Sequence, residues 1–167
     1  KLPVYLYNAP ETGNKLSPEL IGRLFSEVPN LWGYKDSTQD IIHQQTMLRL
    51  IGRDRHFELM AGSDAQILTT SLLGGVGVFS LLTCIFPKLI VGICGAIDRG
   101  DWETARAMQE KILRVRQAMK IGPFMAAYKF VGELVGAPLG RRKAPLSEVS
   151  ESDKQKIVTI LKEQEML

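Results

Sequence analysis

The chain has 167 residues, 45% of them hydrophobic and 23% charged, with a formal net charge of +3. That composition supplies ample core for one globular unit and excludes a disordered tail. The charge is too small for a nucleic-acid binder, and its densest run, Arg141-Arg142-Lys143, reads as a solvated loop rather than a phosphate track.

Strand and helix signals alternate from the start. A strand at about 3–7 (Pro3-Val4-Tyr5-Leu6-Tyr7) runs into the loop Asn8-Ala9-Pro10-Glu11-Thr12-Gly13. A helix of about 18–27 follows, with Ser17 as N-cap and Pro18 first, where its missing N–H is not needed. Val28-Pro29-Asn30 ends it. A second strand at about 31–35 leads to a helix of about 40–52 that begins at Asp40, puts Ile41, Leu48 and Ile51 on one face and stops at Gly52. The third strand, about 57–61, gives way to Gly62-Ser63-Asp64 and a helix to about Leu73. The fourth, about 76–80, follows Gly74-Gly75 and leads into an apolar helix from about Phe86 to Asp98. Pro87, Lys88 and several glycines interrupt the stretch Val76 to Ala96, so it reads as a core strand and a buried helix rather than a membrane span. Three further helices are predicted, at about 101–119 capped by Asp101, 123–135, and 150–165 with Ile157, Ile160 and Leu161 inward. The opening residues read as a strand, and no signal peptide is expected before it.

Four successive βα units with short, near-continuous apolar strands imply a parallel sheet covered by helices. The turn Gly74-Gly75-Val76-Gly77 closes a helix and enters a strand, the reverse of a phosphate-binding loop, so a tight turn explains it. Cys84 and Cys94 lack metal or redox spacing and read as small buried hydrophobes in a reducing, cytoplasmic compartment. His43 and His56 have no carboxylate or cysteine at ligand spacing, so neither a metal nor another cofactor is expected.

Lys35 ends the apolar strand Leu31-Trp32-Gly33-Tyr34-Lys35. Burying an ammonium is costly, and enzymes use that cost: a desolvated lysine is partly free amine and can attack a ketone to form a Schiff base. The plainer reading is a strand-end lysine that reaches into water. Tyr7 ends the preceding strand in the same way, so in a parallel sheet both side chains point to the carboxyl edge, where active sites of such folds lie. A phenol beside an iminium can relay the protons this chemistry moves. Ser63, at the same edge, fits both an N-cap and a ligand-binding role.

Taken in order, Tyr7-Asn8-Ala9-Pro10, Thr12-Gly13, Gly33-Tyr34-Lys35-Asp36-Ser37-Thr38, Ala61-Gly62-Ser63-Asp64 and Gly74-Gly75-Val76-Gly77-Val78-Phe79-Ser80 resemble the dihydrodipicolinate synthase/N-acetylneuraminate lyase family. These are the pyruvate-type class I aldolases and synthases, and the likeness covers essentially the whole chain. The resemblance implies an α/β fold: the C-terminal half of a (β/α)8 TIM barrel, strands 5–8, over 1–98, with a C-terminal helical extension over 99–167 packed on it as one structural unit. It implies that Lys35 is the Schiff-base nucleophile and Tyr7 the proton relay. Gly62 and Ser63 would lie beside bound substrate, and Phe79 would lend a backbone carbonyl to the pocket. Asp36-Ser37-Thr38 reads as loop and helix-capping chemistry. The expected substrate is a 2-oxo acid and the expected assembly a homotetramer, with no nucleic acid or membrane partner.

Two departures refine this. Only Glu11 separates Pro10 from Thr12, so the loop is one residue shorter than the family's usual spacing. It also lacks the arginine that synthases condensing pyruvate with aspartate semialdehyde use for a carboxylate. Gly62-Ser63 looks more like members that cleave or dehydrate 2-keto-3-deoxy sugar acids or 4-hydroxy-2-oxo acids. Dihydrodipicolinate synthase activity is the alternative within the family. A complete barrel needs eight βα units over roughly 250 residues, and only four are legible. The N-terminal half, with its Thr-Thr pair and a tyrosine that reaches a neighbouring site, is expected from residues not shown or another chain, and the 167-residue chain alone is expected to be inactive. Outside the family the rivals are a doubly wound domain of flavodoxin type and a non-catalytic assembly subunit.

Overall fold

A computed structural model describes residues 2–52, 56–123, 125–140 and 143–167. Arg141 and Arg142 of the basic run, and residue 124 of the helix expected from 123, lie outside the described residues. The chain forms two compact units, Lys1–Ser80 and Leu81–Leu167.

The first unit is built on four parallel strands, β1 (Val4–Asn8), β2 (Leu31–Asp36), β3 (Glu58–Ala61) and β4 (Gly77–Val78), which lie side by side in chain order. Helices α1 (Pro18–Glu27), α2 (Ile41–Ile51) and α3 (Ile67–Leu72) connect them. A right-handed crossover places its helix on one fixed side of the sheet, so an order that never reverses puts all three helices on the same face. The core shows this: Tyr34 and Leu59 of the sheet pack with Ile21 of α1 and Met47 of α2, with Leu6 against them. A doubly wound domain needs a reversal of strand order and helices on both faces, so the flavodoxin-type alternative fails here.

The expected caps are present. Ser17 accepts from Leu20 N, Asp40 from His43 N, and Ser63 from Ala65 N at a 3-10 turn, Asp64–Gln66, that precedes α3. Two expectations need correction. In α2, Ile41 and Ile42 are exposed, and His43, Gln44 and Met47 are the buried residues. Hydrogen-bond partners inside the unit draw the polar pair inward. The fourth strand is only two residues long, and Val76 and Phe79 beside it are exposed rather than core. Backbone bonds from Val76 N to Leu59 O and from Phe79 N to Ala61 O continue its pairing with β3.

The second unit is helical: a 3-10 turn (Leu82–Cys84), α4 (Pro87–Asp98), α5 (Trp102–Met119), α6 (Ala126–Leu134) and α7 (Glu151–Glu163). Gly92 lets α4 approach α5, since a Cβ there would lie 2.4 Å from the Met108 methyl carbon. Asp101 and Ser150 cap α5 and α7, and Ile157 and Leu161 carry the buried face of α7. Cys84 is exposed and Cys94 half-buried, contrary to the expectation that both are core residues. The 3-10 turn buries Leu82 and leaves the cysteine outward. No helix among the described residues is long and apolar enough to cross a membrane.

Candidate functional site

Strand alternation divides the sheet into two chemically different faces. On the helix-covered face, β1 and β2 end in Asn8 and Asp36, both fully buried and paired in register. The Asp36 carboxyl group accepts from the Tyr34 hydroxyl (3.1 Å), Thr38 N (3.1 Å), the Thr38 hydroxyl (2.9 Å) and Gln44 Nε2 (2.9 Å). Asn8 Nδ2 donates to the Tyr34 oxygen at 2.6 Å, and His43 Nε2 lies 2.9 Å from that oxygen. The Thr70 hydroxyl completes the chain by donating to Gln44 Oε1. Burial and the neighbouring Asp36 push the Tyr34 phenol above its ordinary range, and burial lowers the His43 imidazole. Because the Tyr34 hydroxyl donates to Asp36, His43 donates to the Tyr34 oxygen from Nε2. This polar layer, which local pattern did not reveal, fixes the ends of β1 and β2 from below.

The opposite face carries Tyr5, Tyr7, Gly33, Lys35, Glu58 and Met60 in register, and among the described residues the helices of this unit pack on the other side. Tyr7 pairs with Lys35 across the β1–β2 ladder, and the Lys35 amine lies 3.8 Å from the centre of the Tyr7 ring and 4.6 Å from that of Phe79. Among the described residues, no carboxylate forms an ion pair with Lys35. Tyr7 and Phe79 are each 54% exposed, so the pair stands on an open face, not in a closed cavity. Lower on that face the Tyr5 hydroxyl donates to Glu58, which also lies 3.0 Å from His56. The Tyr5 ring rests on Gly33, where a Cβ would come within 2.7 Å of a ring carbon.

The structure thus gathers Lys35, Tyr7 and the ring of Phe79. Gly62 enters through its backbone: its carbonyl oxygen lies 3.2 Å from Ser37 Oγ, which in turn lies 3.4 Å from the Tyr7 oxygen. Ser63 is buried and caps the turn that follows β3. Ser37 is the group that sequence reasoning missed. The signal was available, because residues two apart on a strand share a face, which puts Ser37 beside Lys35 and not with Asp36. The Ser37 hydrogen bond, and Lys35 after it, hold the Tyr7 phenol below its usual value against partial desolvation and Glu11.

A sequential parallel sheet with its helices on one face, and a lysine and a tyrosine side by side at its carboxyl edge, define an α/β protein. The family model described as the dihydrodipicolinate synthetase family matches residues 1–164, and the chain belongs to that family. It is 37% identical over 155 residues to an uncharacterised DapA-like lyase of Halobacterium salinarum, a match covering 91% of this chain and 49% of that protein. It is 35% identical over 170 residues to the "Probable 2-dehydro-3-deoxy-D-pentonate aldolase YjhH" of Escherichia coli, covering 99% of this chain and 56% of that one. The fold superposes on the crystal structure of YagE, a family member from E. coli in complex with pyruvate, with a TM-score of 0.86 and 28% identity over 99% of this chain and 57% of YagE. The chain therefore spans about half the length of the relatives it matches.

Proposed function

We propose that this chain carries the Schiff-base half of a class I lyase acting on 2-oxo acids. The carrying observation is the Lys35 amine at 3.8 Å from the Tyr7 ring on an open sheet edge with no ion pair among the described residues. The Lys35 amine adds to the ketone of a pyruvate-type substrate, water leaves, and the resulting iminium withdraws electrons from the adjacent carbon–carbon or carbon–oxygen bond. Tyr7 moves the protons of these steps, and Phe79, Gly62 and Ser63 line the bound acid. Within the family, cleavage or dehydration of 2-keto-3-deoxy sugar acids or 4-hydroxy-2-oxo acids is favoured. The loop after β1 offers Lys15 as its cation, and Lys15 is engaged by Asp40 at 3.3 Å. A synthase that captures a second carboxylate needs a free one.

The same reading assigns β1–β4 to strands five to eight of a (β/α)8 barrel over residues 1–98, with 99–167 as its helical extension. The other half of the barrel comes from residues outside this chain, and the assembled enzyme is a cytoplasmic homotetramer. The unreversed strand order and the half-length match to relatives support the half-barrel; the homotetramer and the compartment rest on the family resemblance alone. A non-catalytic assembly subunit is disfavoured, since such a role asks nothing of Lys35 and Tyr7. Borohydride reduction of the complete barrel with pyruvate traps an adduct on the peptide containing Lys35. Lys35→Ala and Lys35→Arg abolish it, the latter because guanidinium does not give up its proton. A complete barrel that forms no adduct refutes the reading, and comparing keto-deoxy sugar acids with aspartate semialdehyde separates the two substrate classes.

A further inference from the structure

We infer that Ser37 is a positioning residue for Tyr7: its hydroxyl is a rotor between the Tyr7 phenol oxygen and the Gly62 carbonyl, and it turns as the phenol gains or loses its proton. This deepens the proposed function and rests on Tyr7 moving protons there.

Geometry makes the rotor. The Ser37 hydroxyl has one hydrogen and two acceptors, the Tyr7 oxygen at 3.4 Å and the Gly62 carbonyl oxygen at 3.2 Å. Its backbone is pinned by Ser37 N donating to Asn8 O at 3.0 Å, and β3 is held alongside by Gly62 N donating to Asp36 O at 2.7 Å. The oxygen sits in the notch left by the missing side chain at Gly62, where a Cβ would lie 2.2 Å from it. Ser37 therefore has little room to leave, and only its hydrogen is free to turn.

With Tyr7 protonated, the phenol donates to Ser37 Oγ and Ser37 donates to Gly62. When the phenol gives its proton to substrate carbon, the phenolic O–H bond breaks and a C–H bond forms. The phenolate then has no donor of its own, so the Ser37 hydrogen swings from Gly62 to Tyr7. The serine proton never leaves its oxygen; it stabilises the charge left behind. The charged groups that face Tyr7 are Lys35 from β2, which works in the same direction, and Glu11 from the loop after β1, which opposes it. Phe79, which follows β4, contributes an uncharged ring against Lys35.

Tyrosinate absorbance followed against pH, taken as the difference between each protein and its Tyr7→Phe counterpart, isolates the titration of Tyr7. Ser37→Ala raises that midpoint by about half to one pH unit, the equivalent of one net hydrogen bond. Ser37→Thr, which keeps the hydroxyl, leaves it in place. Ser37→Cys, a weak donor of similar size, shifts it in the same direction as alanine and decides the matter should the alanine variant fail to fold. A midpoint unmoved in both the alanine and cysteine variants overturns the inference, as does a threonine variant that shifts as far as alanine. Borohydride trapping on Lys35 is read separately. Lost trapping in the unmodified protein with the titration shifts intact refutes the catalytic reading alone, and intact trapping with no shift refutes the rotor alone.

Discussion

Replacing Asp36 by alanine removes the acceptor around which the layer beneath the site is organised. Of its donors, the Thr38 amide and hydroxyl are only half-buried and can turn to water. The Tyr34 hydroxyl and Gln44 Nε2 belong to residues with no exposed surface. Tyr34 has an escape, because its proton can turn to His43 Nε2 once the imidazole carries its own hydrogen on Nδ1. Gln44 has none in the network, since its other end already accepts from Thr70. One buried donor left bare, a second re-paired and the space of a carboxyl group together cost about 3 kcal/mol. Against a total of about 5–15 kcal/mol that is a large fraction, and with a urea slope of about 1–3 kcal/mol per molar it lowers the unfolding midpoint by about 1–3 M. Urea unfolding followed by circular dichroism measures it. Asp36→Asn, which keeps the shape but turns one acceptor into a donor, falls between the two. Tyr34→Phe combined with Asp36→Ala costs less than the sum of the single changes, because the two share one hydrogen bond. A loss below about 1 kcal/mol for the alanine variant shows that the layer is not held as described.

Gly62→Ala places a Cβ 2.7 Å from the Asp36 carbonyl oxygen and closer still to Ser37 Oγ, and because backbone cannot rotate away, the ends of β2 and β3 separate. A cost of about 1–3 kcal/mol in urea unfolding is expected, together with an upward shift of the Tyr7 titration as Ser37 is displaced. His43 gives a pH signature: its folded value is lowered from 6.5 by burial, so above 6.5 the imidazole is neutral folded or unfolded and its contribution is complete. As pH falls below that point the unfolded chain binds the proton first and stability drops, down to the folded value. His43→Gln flattens this slope in denaturation curves taken between about pH 7 and 5. Thiol labelling of the native protein proceeds in a fast phase, lost in Cys84→Ser, and a slow one from Cys94, whose thiol burial pushes up.

What the sequence discloses is what local rules govern. Ser17, Ser63 and Asp101 stand as the caps read from the sequence, and Asp40 and Ser150, read as helix starts, also cap, because a cap is decided by the few backbone N–H groups after it. The pairing of Tyr7 with Lys35 follows from the equivalent places they hold in successive βα units. The burial of His43 and Gln44 was hidden because it depends on Asn8, Tyr34 and Asp36, which precede α2 in the chain, and on Thr70, which follows it. Periodicity sees only that isoleucines are apolar and turns Ile41 inward, whereas the structure buries His43, Gln44 and Met47 and leaves Ile41 exposed. The fourth strand was overextended for a related reason: an apolar run marks a surface to be covered, and the cover need not lie within the same run.

Residues 35 to 37 link the two faces of the sheet. Side chains of a strand alternate, so Lys35 and Ser37 face the open side and Asp36 the helices; a slip of one residue would drive an amine into the helix layer and strand a carboxyl group on the bare face. Asp36, with four donors, is what forbids that slip. An apolar residue at position 36 loses the bond to Gln44 that ties the strand end to α2 and the bonds to Thr38 that shape the turn before it. The polar layer therefore matters to the site above it through register, and the position of the Lys35 amine depends on a carboxyl group that faces away from it.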